Sequence, residues 1–338
     1  MNKLFSLIFF FIIITMSGVC FFAHAQNDFV KYNGRIEHIF FHSLVIYPEL
    51  AGADFENAQG YRDNMITVSQ FKQIIQELYD NNFILINSDS LYSLDDKGKM
   101  TQKDLFLPKG KKPLIISLDD LNYYSYMKKG GFAKKLVLEN GVIKTEVITL
   151  EGKDIITDDG DVVPIVDAFV KVHPDFSLNG AKGIIAVAGF EGILGYRTQL
   201  KNVGSVAERA AVLPVVQALK NTGWVFANHS FSHNQIFLKD TITSDQLATD
   251  IYKWKAQVGS LVGPTNIFIG PFGEVFTEGS KRRQQLIDAG YNVIYGVGMD
   301  GYTKFFKDHL VMNRTDIDGY RIAHNPKMLL RLFGISVK

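Results

Sequence analysis

Cysteine is all but missing from this chain: Cys20 is the only one in 338 residues, and it lies inside an N-terminal apolar run. Once that run is removed no thiol remains, which excludes disulfide stapling, a thiol nucleophile and a zinc–cysteine site. Any metal must then be held by His, Asp or Glu. An excess of charge is missing too. Thirty-six Lys and Arg stand against 35 Asp and Glu, a formal net charge of +1, so no basic surplus points to nucleic acid. No Gly-rich stretch carries the Lys-Ser/Thr of a phosphate cradle, and residues 189–195 read as a plain loop. The carboxylates Asp154, Asp158, Asp159 and Asp161 lack the spacing of a calcium loop and read as a solvated turn. No 20-to-50-residue repeat and no low-complexity segment is visible.

What is present describes a globular protein, with 46% hydrophobic residues and ample material for a core. Residues 1–25 stand apart. Lys3 precedes an almost unbroken apolar run over residues 4–22, and Ala23-His24-Ala25 has the small-x-small form of a signal-peptidase site. The expectation is export, with the mature protein starting near Gln26; an uncleaved membrane anchor is the alternative, and the only membrane partner the sequence offers.

From there the chain alternates between strand and helix patterns. Residues 39–46 read as a first buried strand, and Ser69 as the cap of an amphipathic helix presenting Phe71, Ile74, Ile75, Leu78 and Tyr79. Residues 83–86 and 113–120 read as the next two strands. Residues 132–164 change period, with Asn140-Gly141 as a two-residue hairpin signal, and read as an inserted β-meander. Later strands are expected at 183–188, 224–227, 267–269, 291–295 and 310–312, with helices near Ser244 and Lys281 between them. Such alternation argues for one α/β barrel-like domain over residues 26–338.

Three stretches place polar chemistry at the ends of apolar strands. Pro-Leu-Ile-Ile-Ser-Leu-Asp-Asp, residues 113–120, stops on two adjacent carboxylates, Asp119 and Asp120. Neighbouring strand residues point to opposite faces, so both can serve one site only where the backbone turns. By itself the pair also suits a helix cap or a solvated turn. Asn-His-Ser-Phe-Ser-His, residues 228–233, follows another strand, and two His four apart on a helical turn can reach one metal ion; two core or solvated histidines is the plain alternative. Placement joins them, since a barrel brings strand ends to one rim. Asp with two His suits zinc and leaves a position open for water. Gly270-Pro271-Phe272-Gly273 puts a turn at a third strand end.

The ordered set Phe40-Phe41-His42-Ser43, Ser117-Leu118-Asp119-Asp120, His229-Ser230-Phe231-Ser232-His233 and Pro271-Phe272-Gly273 resembles the polysaccharide deacetylase family, carbohydrate esterase family four, over about residues 38–314. The resemblance implies an irregular (β/α)7 barrel, here with the inserted β-meander. It implies a metal-dependent hydrolase that removes N-acetyl groups from amino sugars of an extracellular or cell-wall polysaccharide. Asp120, His229 and His233 would bind one divalent ion, zinc by its donor set; Asp119 would be the general base; Pro271, Phe272 and Gly273 would line the substrate groove. The sequence departs from the family pattern in several places. Leu121 stands where a Gly is usual, no Arg opens the third motif, and no Asp-x-x-Asp-Trp is found. The general acid is open among His42, His309 and His324, and Arg314 is a candidate to replace the missing Arg as orienter of Asp119. The degraded motifs leave two other readings, a non-catalytic carbohydrate-binding relative and a metal-dependent amidase for a small molecule or peptide.

Overall fold

A computed structural model of the chain describes residues 28–53 and 56–334; the export segment expected at residues 1–25, with Cys20, lies outside the described residues. Seven parallel strands close into a barrel: β1 (Glu37–Phe41), β3 (Lys112–Leu118), β7 (Gly183–Val187), β8 (Trp224–Asn228), β9 (Ile267–Ile269), β10 (Val293–Val297) and β11 (Leu310–Asp316). They follow one another round the ring in chain order, and β11 pairs β1 to close it. The expected irregular (β/α)7 architecture is therefore what the chain adopts. The irregularity has a location: the first half of β3 pairs β2 (Phe83–Leu85), and only Ser117 and Leu118 pair β7. The β8–β9 ladder is thinner still, with Asn228 opposite Phe268 as its one register pair.

Alternation along these strands sorts the apolar residues into two layers. Phe41, Ile116, Leu118, Ile185, Val187 and Phe226 face outward into a core shared with the surrounding helices. Ile115, Ile184, Ala186, Ala227, Ile269, Tyr295 and Met312 face inward and fill the barrel. Tyr92, Met100 and Leu107, from two short antiparallel ladders, and the adjoining Leu105 belong to that inner cluster as well. The outer helices are α1 (Val68–Asp80), α2 (Val162–Val172), α3 (Ser205–Asn221), α4 (Ser244–Trp254), α5 (Lys281–Asp288) and α6 (Pro326–Phe333). In α1 the apolar stripe packs as its spacing requires, Phe71 meeting Phe41 edge to face at 5.0 Å. Its cap is Thr67, in a reciprocal box with Gln70, and not the expected Ser69.

Two other expectations are corrected. The first strand ends at Phe41, and residues 42–46 leave the sheet; Val45 instead bridges Thr67, before α1, and Phe132. The last strand continues four residues past Met312, to Asp316, which carries Arg314 into the barrel.

Between β3 and β7 lies a three-stranded antiparallel meander, β4 (Ala133–Glu139), β5 (Val142–Ile148) and β6 (Asp154–Thr157). Its first turn is Asn140-Gly141, with φ of 51° and 78°, the two positive values a tight hairpin requires and Gly supplies without strain. The acidic cluster is solvated only in part. Asp154 and Asp159 pair with Lys134 and Lys72 near the surface. Asp161 is fully buried, accepting from the backbone N–H groups of Val162 and Leu44 at the start of α2. Burial raises its carboxyl to about 6 against those hydrogen bonds and a facing Tyr123.

Candidate active site

On β1, β3, β8 and β11 the inward series ends at the carboxyl rim in a residue that can do chemistry. On β3 the series is Ile115, Ser117, Asp119; the Asp119 N–H still donates to the Phe41 carbonyl at 2.9 Å, so Asp119 keeps the strand's alternation and points inward. Asp120 would then point outward. It does not, because its backbone turns left-handed at φ 55°, and its carboxylate stays on the rim. The sequence problem of two adjacent carboxylates serving one site is solved by that turn.

Arg314 reaches Asp119 from β11 with a two-pronged fork, 2.7 and 2.9 Å. Its Nη1 also donates to Ser117 Oγ at 3.0 Å, and the guanidinium lies 4.2 Å above the Phe40 ring. Both partners are buried. Burial would raise the Asp119 carboxyl, but the charges of Arg314 and the neighbouring His229 and His42, with the Arg314 hydrogen bonds, hold it well below the usual carboxylate range. Asp119 is thus ionised, oriented and dry.

Asp120, His229 and His233 form a group whose donor atoms all lie within 4.8 Å of one another, the only such cluster among the described residues. Asp120 Oδ2 is 3.3 Å from His233 Nε2 and 4.0 Å from His229 Nε2. Its other oxygen accepts a 2.6 Å hydrogen bond from the Tyr124 hydroxyl. His229 Nδ1 donates to the Ile269 carbonyl at 2.8 Å, which fixes the tautomer that leaves Nε2 as a donor atom. Burial lowers the His229 imidazole further, favouring the neutral form a metal requires. Donor types, separations and tautomer therefore fit a divalent ion.

The two histidines do not share a helical turn as their spacing suggests. Residues 229–234 form a bent loop in which Ser230 and His233 have φ of 60° and 43°, and the rings meet at 4.8 Å through that bend. Asp250 holds the loop, accepting from the Phe231 and Ser232 N–H groups and from Ser232 Oγ at 2.7–2.9 Å. Of the third turn, Phe272 lies 4.9 Å from the His233 ring and presents it an exposed face. Pro271 is buried, and Gly273 sits at φ 80° where a Cβ would meet Val297 at 2.8 Å. These two shape the turn while Phe272 faces the site.

The three candidate acids separate clearly. His42 follows β1 on the inward face, close enough for its charge to act on both Asp119 and Asp120, and its buried Nδ1 has no hydrogen-bond partner among the described residues. His309 precedes β11, at the opposite end of the barrel, paired with Asp308 and stacked on Phe306. His324 is exposed on the helix Gly319–His324, its ring against Tyr320. Asp316, also inward at the rim, is raised to about 8 by burial, by Asp318 and by Asp119.

Sequence reasoning missed Tyr124 and Asp250. Asp250 left a trace, a carboxylate on the apolar stripe Leu247, Ile251, Trp254 of α4; Tyr124 left none. Among the described residues, eleven that are not glycine have positive φ. Three are turn-forming Asn, and the other eight (Asp120, Tyr123, Glu191, Leu194, Ser230, His233, Phe272 and Phe276) all lie in loops that follow the carboxyl ends of β3, β7, β8 and β9.

No family model and no curated protein matches the chain. Among solved structures, the chain is similar to IcaB from Ammonifex degensii, at 9% identity over 84% of this chain and 91% of that one, with a TM-score of 0.42. It is likewise similar to a de-N-acetylase from Aggregatibacter actinomycetemcomitans, at 12% identity over 85% and 96% of the two chains, with a TM-score of 0.44.

Proposed function

We propose that the protein is a metal-dependent hydrolase that removes N-acetyl groups from amino sugars of an extracellular or cell-wall polysaccharide. The observation that carries this is Asp119: a buried carboxylate, forked by Arg314 and set beside a three-donor cluster. A binding module has no use for an ionised base in that position. Asp120, His229 and His233 would hold the ion. When bound it supplies Lewis acidity for the acetyl carbonyl and for water, and the donor set suits zinc.

The chain's own residues do the rest. Asp119 accepts a proton from water, and Arg314 keeps its carboxylate aimed and ionised until the transfer. The leaving amine must be protonated to depart. His42 is placed to deliver that proton, being the candidate histidine that lies with both carboxylates. Ser117 and the Phe40 ring fix the Arg314 fork, so the base does not drift toward the cluster it adjoins.

Acetate release from N-acetylglucosamine oligomers or cell-wall glycan, supplied with zinc or cobalt and stopped by chelation, tests the reading. Asp119→Asn should keep its metal while turnover falls by roughly two to four powers of ten. Metal-saturated protein that binds glycan yet releases no more acetate than Asp119→Asn would overturn it. We place the protein outside the cell membrane on the strength of residues 1–25. N-terminal sequencing is expected to start at Gln26, and an intact Met1 in the membrane fraction would favour an anchor. Among the described residues no helix is long and apolar enough to cross a membrane.

A further inference from the structure

The barrel interior holds a histidine that the reaction described above does not use. His38, on β1, is buried and points inward, its ring meeting the Tyr295 ring edge to face at 4.5 Å. The layer around it is otherwise apolar, with Ile115, Ala186 and Met312 among its members. An aliphatic side chain would fill that place without leaving a polar atom dry, yet His38 Nδ1 is buried with no hydrogen-bond partner among the described residues. Keeping an imidazole there costs free energy. What its other nitrogen does gives the compensation.

His38 Nε2 lies 3.0 Å from Ser117 Oγ, and Ser117 Oγ accepts from Arg314 Nη1 at 3.0 Å. Arg314 in turn forks Asp119. One line of hydrogen bonds therefore runs from the barrel interior to the base, across three neighbouring strands: His38 on β1, Ser117 on β3 and Arg314 on β11. The chemistry of the groups sets its direction. A guanidinium can only donate, so Ser117 spends a lone pair on Arg314 and has one hydroxyl hydrogen left to give. Burial and the charge of Arg314, against that of Asp119, hold the His38 imidazole well below its ordinary range, so the ring is neutral and offers a lone pair. With that lone pair at Nε2, the ring accepts the Ser117 hydrogen.

A hydroxyl committed to His38 cannot swing round, and its lone pair stays on Arg314. This counts most in the middle of the reaction. While Asp119 is ionised, the fork holds itself. Once Asp119 has taken a proton, the guanidinium faces a neutral carboxyl, and Ser117 Oγ and the Gly296 carbonyl, 3.2 Å from Nε, are the acceptors that keep it in place.

We propose that His38 is a positioning residue for the base: by taking the Ser117 hydroxyl hydrogen it fixes the Ser117 lone pair on Arg314, and so holds the fork that aims Asp119. Its effect on turnover rests on the hydrolase reading above; its hold on Arg314 does not.

Zinc-loaded protein gives two readouts. Without substrate, NMR exchange at the Arg314 side-chain N–H groups measures how fast the guanidinium rotates. His38→Leu should speed that rotation by about tenfold, the effect of losing one hydrogen bond to a charged group. His38→Gln, whose amide oxygen reaches the place of Nε2, should slow it again. With an N-acetylglucosamine oligomer as substrate, His38→Leu should lower kcat by about tenfold at unchanged KM and metal content. His38→Gln should recover most of that loss, and His38→Leu should cost nothing further once Ser117→Ala has broken the line. A merely structural role gives the opposite order, since Leu suits an apolar layer better than Gln. Unchanged Arg314 rotation in His38→Leu, or faster rotation in His38→Gln than in His38→Leu, overturns the proposal. Where His38→Leu does not fold, Ser117→Ala removes the same link, and unchanged rotation there overturns it as well. Rotation that depends on His38 in a parent protein that releases no acetate upholds the hold on Arg314 and removes the hydrolase reading.

Discussion

Replacing Arg314 by Ala is the sharpest probe of the site. Arg314 is 0% exposed and Asp119 4%, so removing the guanidinium leaves a carboxylate buried without its counter-charge. Breaking a buried pair from one side costs about 3–5 kcal/mol, a large share of the stability of most domains. The pH dependence gives the signature. In the parent protein the folded Asp119 lies below its unfolded value, so its stabilisation is present above about pH 4 and is lost as pH falls toward the folded pKa. Without Arg314 burial dominates, the folded value moves above the unfolded one, and the sign reverses. The gap between parent and variant should thus be wide at pH 7 and shrink toward pH 4, where the variant's Asp119 takes up a proton. Urea unfolding of chelated protein at pH 4, 5.5 and 7 measures it. Arg314→Lys keeps the charge but not the fork and should lie between. A loss under about 1 kcal/mol at pH 7, or one equal at pH 4 and 7, would show that the fork does not hold Asp119 as argued.

Three further outcomes are expected. His229→Ala and His233→Ala should both lose the metal by elemental analysis, but only His229→Ala should destabilise the metal-free protein, since it alone bonds the β9 backbone; equal stability of the two would contradict that difference. Asp161→Asn should remove on the order of 3 kcal/mol from the stability loss that the parent shows between pH 4 and 6, where this carboxyl ionises in the unfolded chain but stays protonated in the fold; the difference between parent and variant in thermal denaturation across that window checks it. Asp250→Ala should loosen residues 229–234 and weaken zinc binding at least tenfold without removing a donor atom, which competition with a zinc-binding dye would reveal.

Periodicity made the barrel legible because buried parallel strands are apolar throughout and their helices carry one apolar stripe. Residues 267–269 could be named from the sequence for that reason, and Asn140-Gly141 marked its hairpin because only such pairs take two positive φ values cheaply. Strand ends were harder. Leu44, Val45 and Ile46 are as apolar as residues 39–41, so pattern alone could not show where the ladder stops. Thr67 and Ser69 are equally good caps by chemistry, and Gln70 decides between them only when its reach is known. Within the site, the residues at strand ends were readable, while those that act across the barrel were not. Arg314 was singled out only as a candidate, since 195 residues separate it from Asp119. His309 and His324 could not be set aside until the strand direction put one at the far end and the helix Gly319–His324 left the other in solvent.

The thin ladder between β8 and β9 has a kinetic meaning. A seam with one register pair is where a barrel opens most cheaply, and its amides should trade protons with water faster than those of the β1–β3 ladder, which has five pairs. The His229 imidazole, bonded to the Ile269 carbonyl, is a side-chain stitch across that seam. Stripping the metal should therefore speed exchange at residues 226–230 and 267–270 ahead of the rest, and in His229→Ala those two segments should already exchange quickly in protein that never held an ion. The residue that completes the site is in this sense also the latch on the barrel's weakest join.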